Sequence, residues 1–196
     1  MPKVTEAYRE ARRDEIARAA LRCLERKGVR DTSIADIVEE SGLSTGAIYS
    51  HFSNKAELAR YIVGRFLIPR LDALESTAAR GRILAPSEVL RGMLSVFRHT
   101  GLPPSLVVQF WGEAMVEPDL HTEMLNTAGR LRTSLTTAIT PWARTRTESD
   151  AEADALAGRL SRTIAALAQG YVSNTAVFGP RDIDEYVDDA IIVLGT

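Results

Sequence analysis

The sequence predicts an all-α protein in two parts, an N-terminal three-helix head that contains a helix-turn-helix and a C-terminal helical body. Apolar residues recur three and four positions apart through most of the 196 residues, which is the spacing of amphipathic helices. Prolines and glycines interrupt that spacing at intervals that suit helix ends. No segment of useful length alternates between apolar and polar residues as a half-buried strand would.

The first helix is predicted to begin at Thr5 or Glu6 and to end at Lys27-Gly28. A basic residue followed by glycine is typical of a helix C-terminus. The inner stripe of this helix is expected to contain Ile16, Ala20 and Leu24. Cys23 is the only cysteine and lies beside that stripe, so we interpret it as a small buried hydrophobe, with a redox-sensing thiol as the alternative.

The most informative segment covers residues 32–58. It predicts two short helices joined by a tight turn, followed at once by the start of another helix. Ser41-Gly42 indicates the end of the first short helix, because glycine readily takes the left-handed conformation. Ser44 offers a side-chain oxygen that can cap the second. The inner faces are expected to consist of Ile34, Ile37 and Val38 in the first, and Ala47, Ile48 and Phe52 in the second.

The outer face of the second short helix is small and polar. It carries Thr45, Gly46 and Tyr49, with His51 close by. A helix with no bulky residue at its N-terminus can approach base edges in the major groove of DNA. Lys55 follows at the start of the next helix, where its ammonium group and the helix N-terminus both favour a phosphate. The segment therefore predicts a DNA-binding helix-turn-helix.

The run from Ile48 to Leu58 resembles the signature of the TetR/AcrR family of bacterial transcriptional regulators. In that family a Tyr-x-His-Phe stretch closes the recognition helix, and a Lys-x-x-Leu pattern opens the fourth helix. The corresponding residues here are 49–52 and 55–58, and Gly28 matches the glycine that ends the family's first helix. The resemblance covers roughly the first 60 residues. It implies a dimeric DNA-binding protein whose C-terminal half binds a small effector.

We predict eight DNA-contacting residues in this segment. Those that would approach bases are Ser44, Thr45 and Gly46. Those that would mainly hold phosphates are Thr32, Tyr49, His51 and Lys55, and Ser33 completes the set. The predicted domain boundary falls within the same segment. It separates a helix-turn-helix DNA-binding domain over residues 1–53 from an effector-binding and dimerisation domain over residues 54–196.

Asn54 with Glu57 three positions later predicts a capping box at the start of a connecting helix. That helix should kink or stop near Ile68-Pro69, because proline inside a helix removes a hydrogen bond. Such a kink is either a static bend or a place where an effector moves the head. Further prolines and glycines divide the rest of the chain into helices near residues 87–100, 104–116, 118–144, 150–178 and 182–194.

The last two predicted helices carry apolar stripes together with many small residues that allow close helix packing. Two such helices from each of two subunits would form a four-helix homodimer interface, as the resemblance implies. The alternative is that the stripes pack only within one subunit. The predicted interface residues are Leu160, Ile164, Leu167, Val187 and Ile191.

The middle helices supply the candidate ligand-binding residues. These are Met93, Phe97, Phe110, Trp111 and Met115, with Tyr171 from the following long helix. Large aromatic rings and flexible methionines suit an apolar ligand. The same residues at helical spacing also suit an ordinary hydrophobic core, and both interpretations stay open.

Several classes of protein are disfavoured by the sequence. The net charge of −2 means that any basic DNA-facing surface must come from local arrangement. We find no glycine-rich phosphate loop, nucleophile elbow or zinc-binding cysteine set, and predict no enzyme, no catalytic residue, no cofactor and no metal. A charged N-terminus and the absence of a long apolar run predict a cytoplasmic protein without a membrane span.

These observations predict a ligand-responsive transcriptional regulator, acting as a repressor. It would bind a palindromic double-stranded DNA operator as a homodimer and be released by a small, largely apolar effector. Two alternatives stay open. One is a helical small-molecule-binding or enzymatic protein whose head does not bind DNA, and the other is an activator with the same head.

Overall fold

The computed structural model describes residues 5–99 and 102–194, and within these ranges the fold consists of helices without a strand. The predicted all-α fold is confirmed. In the head and linker the helices are α1 (Glu6–Asp31), α2 (Ile34–Ser41), α3 (Thr45–Tyr49), α4 (Lys55–Phe66) and α5 (Ile68–Ala79). In the body they are α6 (Pro86–Leu94), α7 (Val96–His99), α8 (Pro104–Ala114), α9 (Pro118–Arg144), α10 (Asp150–Phe178) and α11 (Ile183–Leu194).

The ends of α1 follow from its local sequence. The Thr5 side chain accepts a hydrogen bond from the Tyr8 amide, which caps the helix at its N-terminus. Gly28 has a φ of 80° and interrupts the helical backbone, after which one further turn leads to Asp31. The predicted end of the first helix at Gly28 is therefore a break, and the short turn beyond it leads into α2.

The head encloses a hydrophobic core of its own. The fully buried side chains Ile16, Ile37, Ile48 and Phe52 bring together α1, α2 and α3. The same core continues across the predicted boundary at residue 53. It includes Leu58 and Ile62 of α4 and Leu106 of α8. The head is consequently packed against the body, with one body side chain inserted into its core.

The linker between head and body is broken where proline was expected to break it. The first part, α4, ends at Phe66, and α5 begins at Ile68 with Pro69 in its first turn. Proline is tolerated at that position because the first amides of a helix have no partner within the helix.

The body is built around a core shared by α6, α9, α10 and α11. The helix predicted over residues 87–100 is two helices, because Ser95 ends α6 and α7 follows. Arg91 of α6 ties α11 to this core through ion pairs with Asp184 at 2.7 Å and Asp188 at 3.3 Å. The other predicted body helices agree with the structure to within two residues at each end.

Two predicted dimer contacts are corrected by the packing of the body. Ile164 and Val187 are completely buried within the protomer, so they have no surface to offer to a partner. They belong to the core that joins α10 and α11. Leu160, Leu167 and Ile191 are only partly buried and stay as predicted contacts. An apolar stripe does not reveal from sequence whether it faces its own core or a partner.

We expect Phe52→Ala to destabilise the protein by about 3–5 kcal/mol, because it removes a fully buried ring and leaves a cavity. Tyr49→Ala is the control, since about half of that side chain is exposed and a change of no more than about 0.5 kcal/mol is expected. Urea unfolding followed by circular dichroism measures both. Equal destabilisation by the two substitutions would contradict the assignment of inner and outer faces.

Candidate DNA-binding interface

The first helix of the motif is held at its start by a reciprocal cap. The Ser33 hydroxyl accepts from the Asp36 amide at 3.2 Å, and the Asp36 carboxylate accepts from the Ser33 amide at 2.7 Å. Lys27 of α1 donates to the same carboxylate at 2.6 Å. The bond from Lys27, followed by those from Ser33, holds the pKa of Asp36 well below its usual range. The cap therefore also joins α1 to α2.

The turn of the motif has the geometry that its glycine predicts. Gly42 takes the left-handed conformation with a φ of 68°, and its amide donates to the Val38 carbonyl at 3.0 Å. The Ser44 hydroxyl then accepts from the Ala47 amide at 3.2 Å and caps α3. Both caps use side chains that the sequence analysis assigned to DNA contact. Ser33 and Ser44 are exposed as well, so capping leaves them accessible.

The outer face of α3 is open to solvent. Thr45, Gly46 and Tyr49 are all exposed, and no atom of another residue comes within 4 Å of where a Gly46 side chain would begin. Ile48, on the opposite face, is completely buried. This arrangement presents a small N-terminal surface, followed one turn later by an aromatic hydroxyl, to any groove that α3 enters.

Thr32 is corrected by the structure. Only 1% of this residue is exposed, and its hydroxyl donates to the Gly28 carbonyl at 2.6 Å. Its side chain stabilises the turn between α1 and α2, so a phosphate cannot reach it in this conformation. The sequence could not reveal this, because the turn that brings residues 28 and 32 together depends on the backbone of Gly28.

Lys55 is exposed at the start of α4, as expected for a phosphate contact, but its ammonium group also has an intramolecular role. It lies 3.3 Å from the Val29 carbonyl and 3.5 Å from the Arg30 carbonyl, to which it donates. A cation at the last carbonyls of a helix is favourable because those oxygens carry partial negative charge. The cap at this helix also differs from prediction, since Glu57 accepts from the Ser53 amide while Asn54 accepts from the Glu57 amide.

His51 lies at the edge of a cationic region formed by the N-terminal part of α1. Burial, followed by repulsion from Arg9, Arg13 and Arg12, lowers the pKa of His51. Its Nδ1 atom is buried without a hydrogen-bond partner among the described residues. Arg12 is ion-paired with Glu15 at 2.6 Å and Arg13 with Glu57 at 3.2 Å, whereas Arg9 has no ion pair among the described residues.

Arg13 connects α1 to the end of the motif. Its guanidinium lies 4.6 Å from the Phe52 ring centre and 4.8 Å from that of Tyr61, and it donates to Glu57 at 3.2 Å. The Tyr61 hydroxyl donates to Asp14 at 2.7 Å, and burial and this bond raise the pKa of Tyr61 to about 12. These contacts fix the angle at which α1 crosses the motif.

The predicted ligand-binding residues do not line one cavity. Phe97 and Tyr171 stack in an aromatic cluster with ring centres 6.0 Å apart, and the Tyr171 hydroxyl donates to the Arg181 carbonyl. Met93 and Trp111 are partly buried against the same body core. The remaining two residues lie elsewhere: Phe110 packs against the head core, and Met115 is largely exposed. Their shared role in one pocket stays a prediction.

A cavity of about 850 Å³ lies where the head meets the body, between α1 and α4 on one side and α8 and the start of α9 on the other. Its walls include Leu24, Lys55, Ile62, Phe110, Glu113 and Val116. Of the predicted ligand-binding set, only Phe110 contributes to it. The sequence does not predict this site, because the residues of α4 and α8 that form its opposite walls lie about fifty positions apart in the chain. No periodic pattern links them.

Two further features are absent from the described residues, a membrane-spanning helix and a metal site. No helix among them combines the length and the apolar character needed to span a bilayer. No group of three or more histidine, cysteine, aspartate or glutamate side chains among them is arranged to hold a metal ion.

The geometry defines a class of protein, an all-α chain with a helix-turn-helix head joined through a linker to a helical body. Comparison with known proteins makes this specific. Residues 16–62 match the sequence model of the bacterial regulatory proteins of the tetR family. Over these residues the resemblance to the TetR family found in the sequence is confirmed.

Similarity in sequence to individual proteins covers part of the chain. The chain is 38% identical over 84 residues to the HTH-type transcriptional regulator YfiR of Bacillus subtilis, covering 43% of this chain and 41% of that protein. It is 41% identical over 77 residues to the HTH-type transcriptional regulator TtgR of Pseudomonas putida, covering 39% and 33%. The matches thus span less than half the length of both relatives.

The similarity of fold extends over the whole chain. The structure of Thermus thermophilus FadR, a TetR-family transcriptional repressor in complex with lauroyl-CoA, aligns with a TM-score of 0.63. That alignment covers 93% of this chain and 92% of the FadR chain at 20% sequence identity. At this level of identity the comparison establishes a shared fold for head and body together.

We expect Asp36→Asn to lower the free energy of unfolding at neutral pH but not in acid. The lowered pKa of Asp36 means that its stabilising bonds are fully present above its ordinary pKa, near about 4, and are lost as the pH falls below that value. The difference in unfolding free energy between the two proteins should therefore begin to shrink below about pH 5 and continue to shrink as the pH falls towards the lowered pKa of folded Asp36. Chemical denaturation at a series of pH values measures it.

The matched control for this experiment is Glu39→Gln, which removes an exposed carboxylate from the same helix. Glu39 makes no hydrogen bond to another described residue, so its substitution should leave the unfolding free energy nearly unchanged across the range. A constant difference for Asp36→Asn at all pH values would show that its carboxylate charge does not stabilise the head.

Proposed function

We propose that this protein is a DNA-binding transcriptional regulator that acts as a repressor. In this proposal it binds a palindromic operator as a homodimer, and a small effector releases it. The observation that carries the proposal is the exposed polar face of α3 on a helix-turn-helix whose opposite face is fully buried. The match of this region to the tetR family supports the same function.

In the proposed complex the N-terminus of α3 approaches the bases. Ser44, Thr45 and Gly46 would read base edges, because they are exposed and small enough to let the helix backbone come close. Tyr49 and Lys55 would contact phosphates on either side of the groove. The arginines of α1 and His51 would lie at the edge of that contact, where phosphate charge would offset the repulsion that lowers the pKa of His51.

A homodimer would place two copies of α3 about 34–36 Å apart, which is one turn of DNA. The exposed apolar surface of α10 and α11 supports an interface there. Phe178 at the end of α10 is 83% exposed, and Ile192 of α11 is 87% exposed. Leu160, Leu167 and Ile191 would extend this surface, whereas the buried Ile164 and Val187 would support it from beneath.

An effector would release the operator only if it binds more tightly to a conformation that fits DNA poorly. The contacts between α8 and the head provide a physical route for this, because Leu106 of α8 is buried in the head core. A movement of α8 would therefore change the position of α1 and the motif. YfiR and TtgR are HTH-type transcriptional regulators, and the FadR structure contains lauroyl-CoA, which supports regulation by a small molecule on this fold.

Selection of duplex DNA from a random pool by the purified protein tests DNA binding directly. We expect the wild type to enrich a palindrome at low salt and Tyr49→Ala to enrich none, because the substitution removes a contact from the exposed face of α3. Failure of the wild type to enrich any sequence would contradict the proposed function. Since Tyr49 is half exposed, loss of binding in the variant cannot be attributed to unfolding if its melting temperature is unchanged.

The phosphate contact of Lys55 is tested on the selected operator. We expect Lys55→Gln to reduce the slope of log affinity against log salt concentration by about one, as for the loss of a single phosphate contact. Fluorescence anisotropy at several salt concentrations measures the slope. An unchanged slope with a lowered melting temperature would leave Lys55 only its role at the Val29 and Arg30 carbonyls.

The dimer surface is tested by introducing charge where the apolar exposure is greatest. We expect Ile192→Arg to shift the protein from dimer to monomer, since it would bury an unpaired charge in the interface. Sedimentation velocity measures the shift. Val116→Arg is the control because it replaces an exposed apolar residue outside α10 and α11, in the connection between α8 and α9. Equal effects, or none, would argue against an interface at α11.

A further inference from the structure

The head–body cavity has the size and lining of a small-molecule site. Its volume of about 850 Å³ falls within the range of about 300–1,000 Å³ for ligand pockets. The head side is apolar, with Leu24 of α1 and Ala59 and Ile62 of α4. The body side adds Phe110 and Val116, and 72% of the Val116 surface is exposed. An apolar molecule placed here would cover the exposed Val116 and lie against the apolar side chains of the head wall, which are themselves nearly buried.

The charged residues that line the cavity differ between its two walls. Glu113, Glu117 and Asp119 lie on the body wall, and none of these carboxylates forms a hydrogen bond or an ion pair with another described residue. Glu123, one turn further along, is by contrast paired with Arg60 at 3.2 Å. On the head wall, the Lys55 ammonium is already bound to two backbone carbonyls. Arg30 also lines the head wall, so the whole lining has three carboxylates against two cations. All charged residues of the body wall are acidic, and that wall would favour a cationic group.

We propose that this cavity is the effector site and that it takes an apolar molecule carrying a cationic group. The apolar part would lie between α4 and Phe110, and the cationic group would face Glu113 and Glu117. The regulatory part of this proposal rests on the proposed function, whereas binding of such a molecule does not depend on DNA. The cavity is a different place from the body residues Met93, Phe97 and Tyr171 that the sequence suggested.

One hydrogen bond beside the cavity connects its occupation to the DNA-binding motif. The Gln109 Oε1 atom, on α8 next to Phe110, accepts from the Val29 amide at 2.8 Å. The contact is close, because a side chain added at Gly28 would begin 2.7 Å from the same oxygen. Residues 28–33 lead directly into the Ser33 cap of α2. A molecule that separates α8 from α1 would remove this bond and free the segment that positions the motif.

The chemical class is tested with decyltrimethylammonium, decanoate and decanol below their micelle concentrations, using isothermal titration calorimetry on the full chain. We expect the cation to bind at one site per chain and both other probes to bind at least tenfold more weakly. The double substitution Glu113→Gln/Glu117→Gln should weaken cation binding at least tenfold. No saturable binding of the cation, or equal binding of the anion, would overturn the proposal.

The location is tested by filling the cavity. Gly112 lines it and has no atom within 4 Å of the position of an added side chain, so Gly112→Leu should fold normally and occupy the space. Gly129→Leu is the matched control, because Gly129 is also a helical glycine with open space around it but does not line the cavity. We expect at least a tenfold loss of cation affinity for Gly112→Leu alone. Equal affinities in both variants would place the probe elsewhere and overturn the site.

The coupling is tested with Gln109→Leu, which removes the bond to Val29 while keeping a side chain of similar size. We expect the cation to lower operator affinity at least fivefold in the wild type, and less than twofold in the variant at the same probe occupancy. An undiminished response in the variant would overturn the role of Gln109. If the wild type binds the cation but no DNA, the proposed function fails while the cavity assignment stands, so the two failures are distinguishable.

Discussion

The packing of α1 across the helix-turn-helix is the constraint on which the rest of the structure depends. A five-residue helix such as α3 cannot be stable alone, because the free-energy cost of helix nucleation exceeds the stabilisation from the hydrogen bonds of a single turn. It is held by burial of Ile48 and Phe52 against α1 and by Arg13, which packs on the Phe52 and Tyr61 rings. The exposed face of α3 is therefore held in position by packing against the rest of the head rather than by the helical propensity of its own five residues.

The same helix, α1, also provides the contacts through which the body can affect the head. The C-terminal turn of α1 is held from two sides, by Lys55 at its carbonyls and by Gln109 at the Val29 amide. Leu106 enters the head core from the same helix that carries Gln109. Any displacement of α8 must therefore change either the packing or the hydrogen bonding of the segment that precedes α2. Regulation of the head by the body needs such a connection, because a conformational change in the body cannot move a head that it does not contact.

Charge in this protein works through position rather than through total amount. Many of the head's basic side chains are engaged in internal pairs, such as Lys27 with Asp36 and Arg22 with Glu40. Those pairs set the geometry of the head, while Arg9, Arg12 and Arg13 lie close enough to His51 to lower its pKa. On the body wall of the cavity, Glu113 and Glu117 have no hydrogen-bond or ion-pair partner among the described residues. Charge of both signs is thus concentrated locally in a chain whose net charge is only −2.

The sequence by itself determined the helices, the turn and the exposed polar face of α3, because caps, glycines and helical periodicity act over only a few residues. Ser33, Gly42 and Ser44 perform the local roles that their types predict. Only the tertiary structure decided which polar groups are free and which apolar stripes face outward. It buried Thr32, enclosed Ile164 and Val187, and formed the cavity from α4 and α8, since these outcomes depend on contacts between residues far apart in the chain.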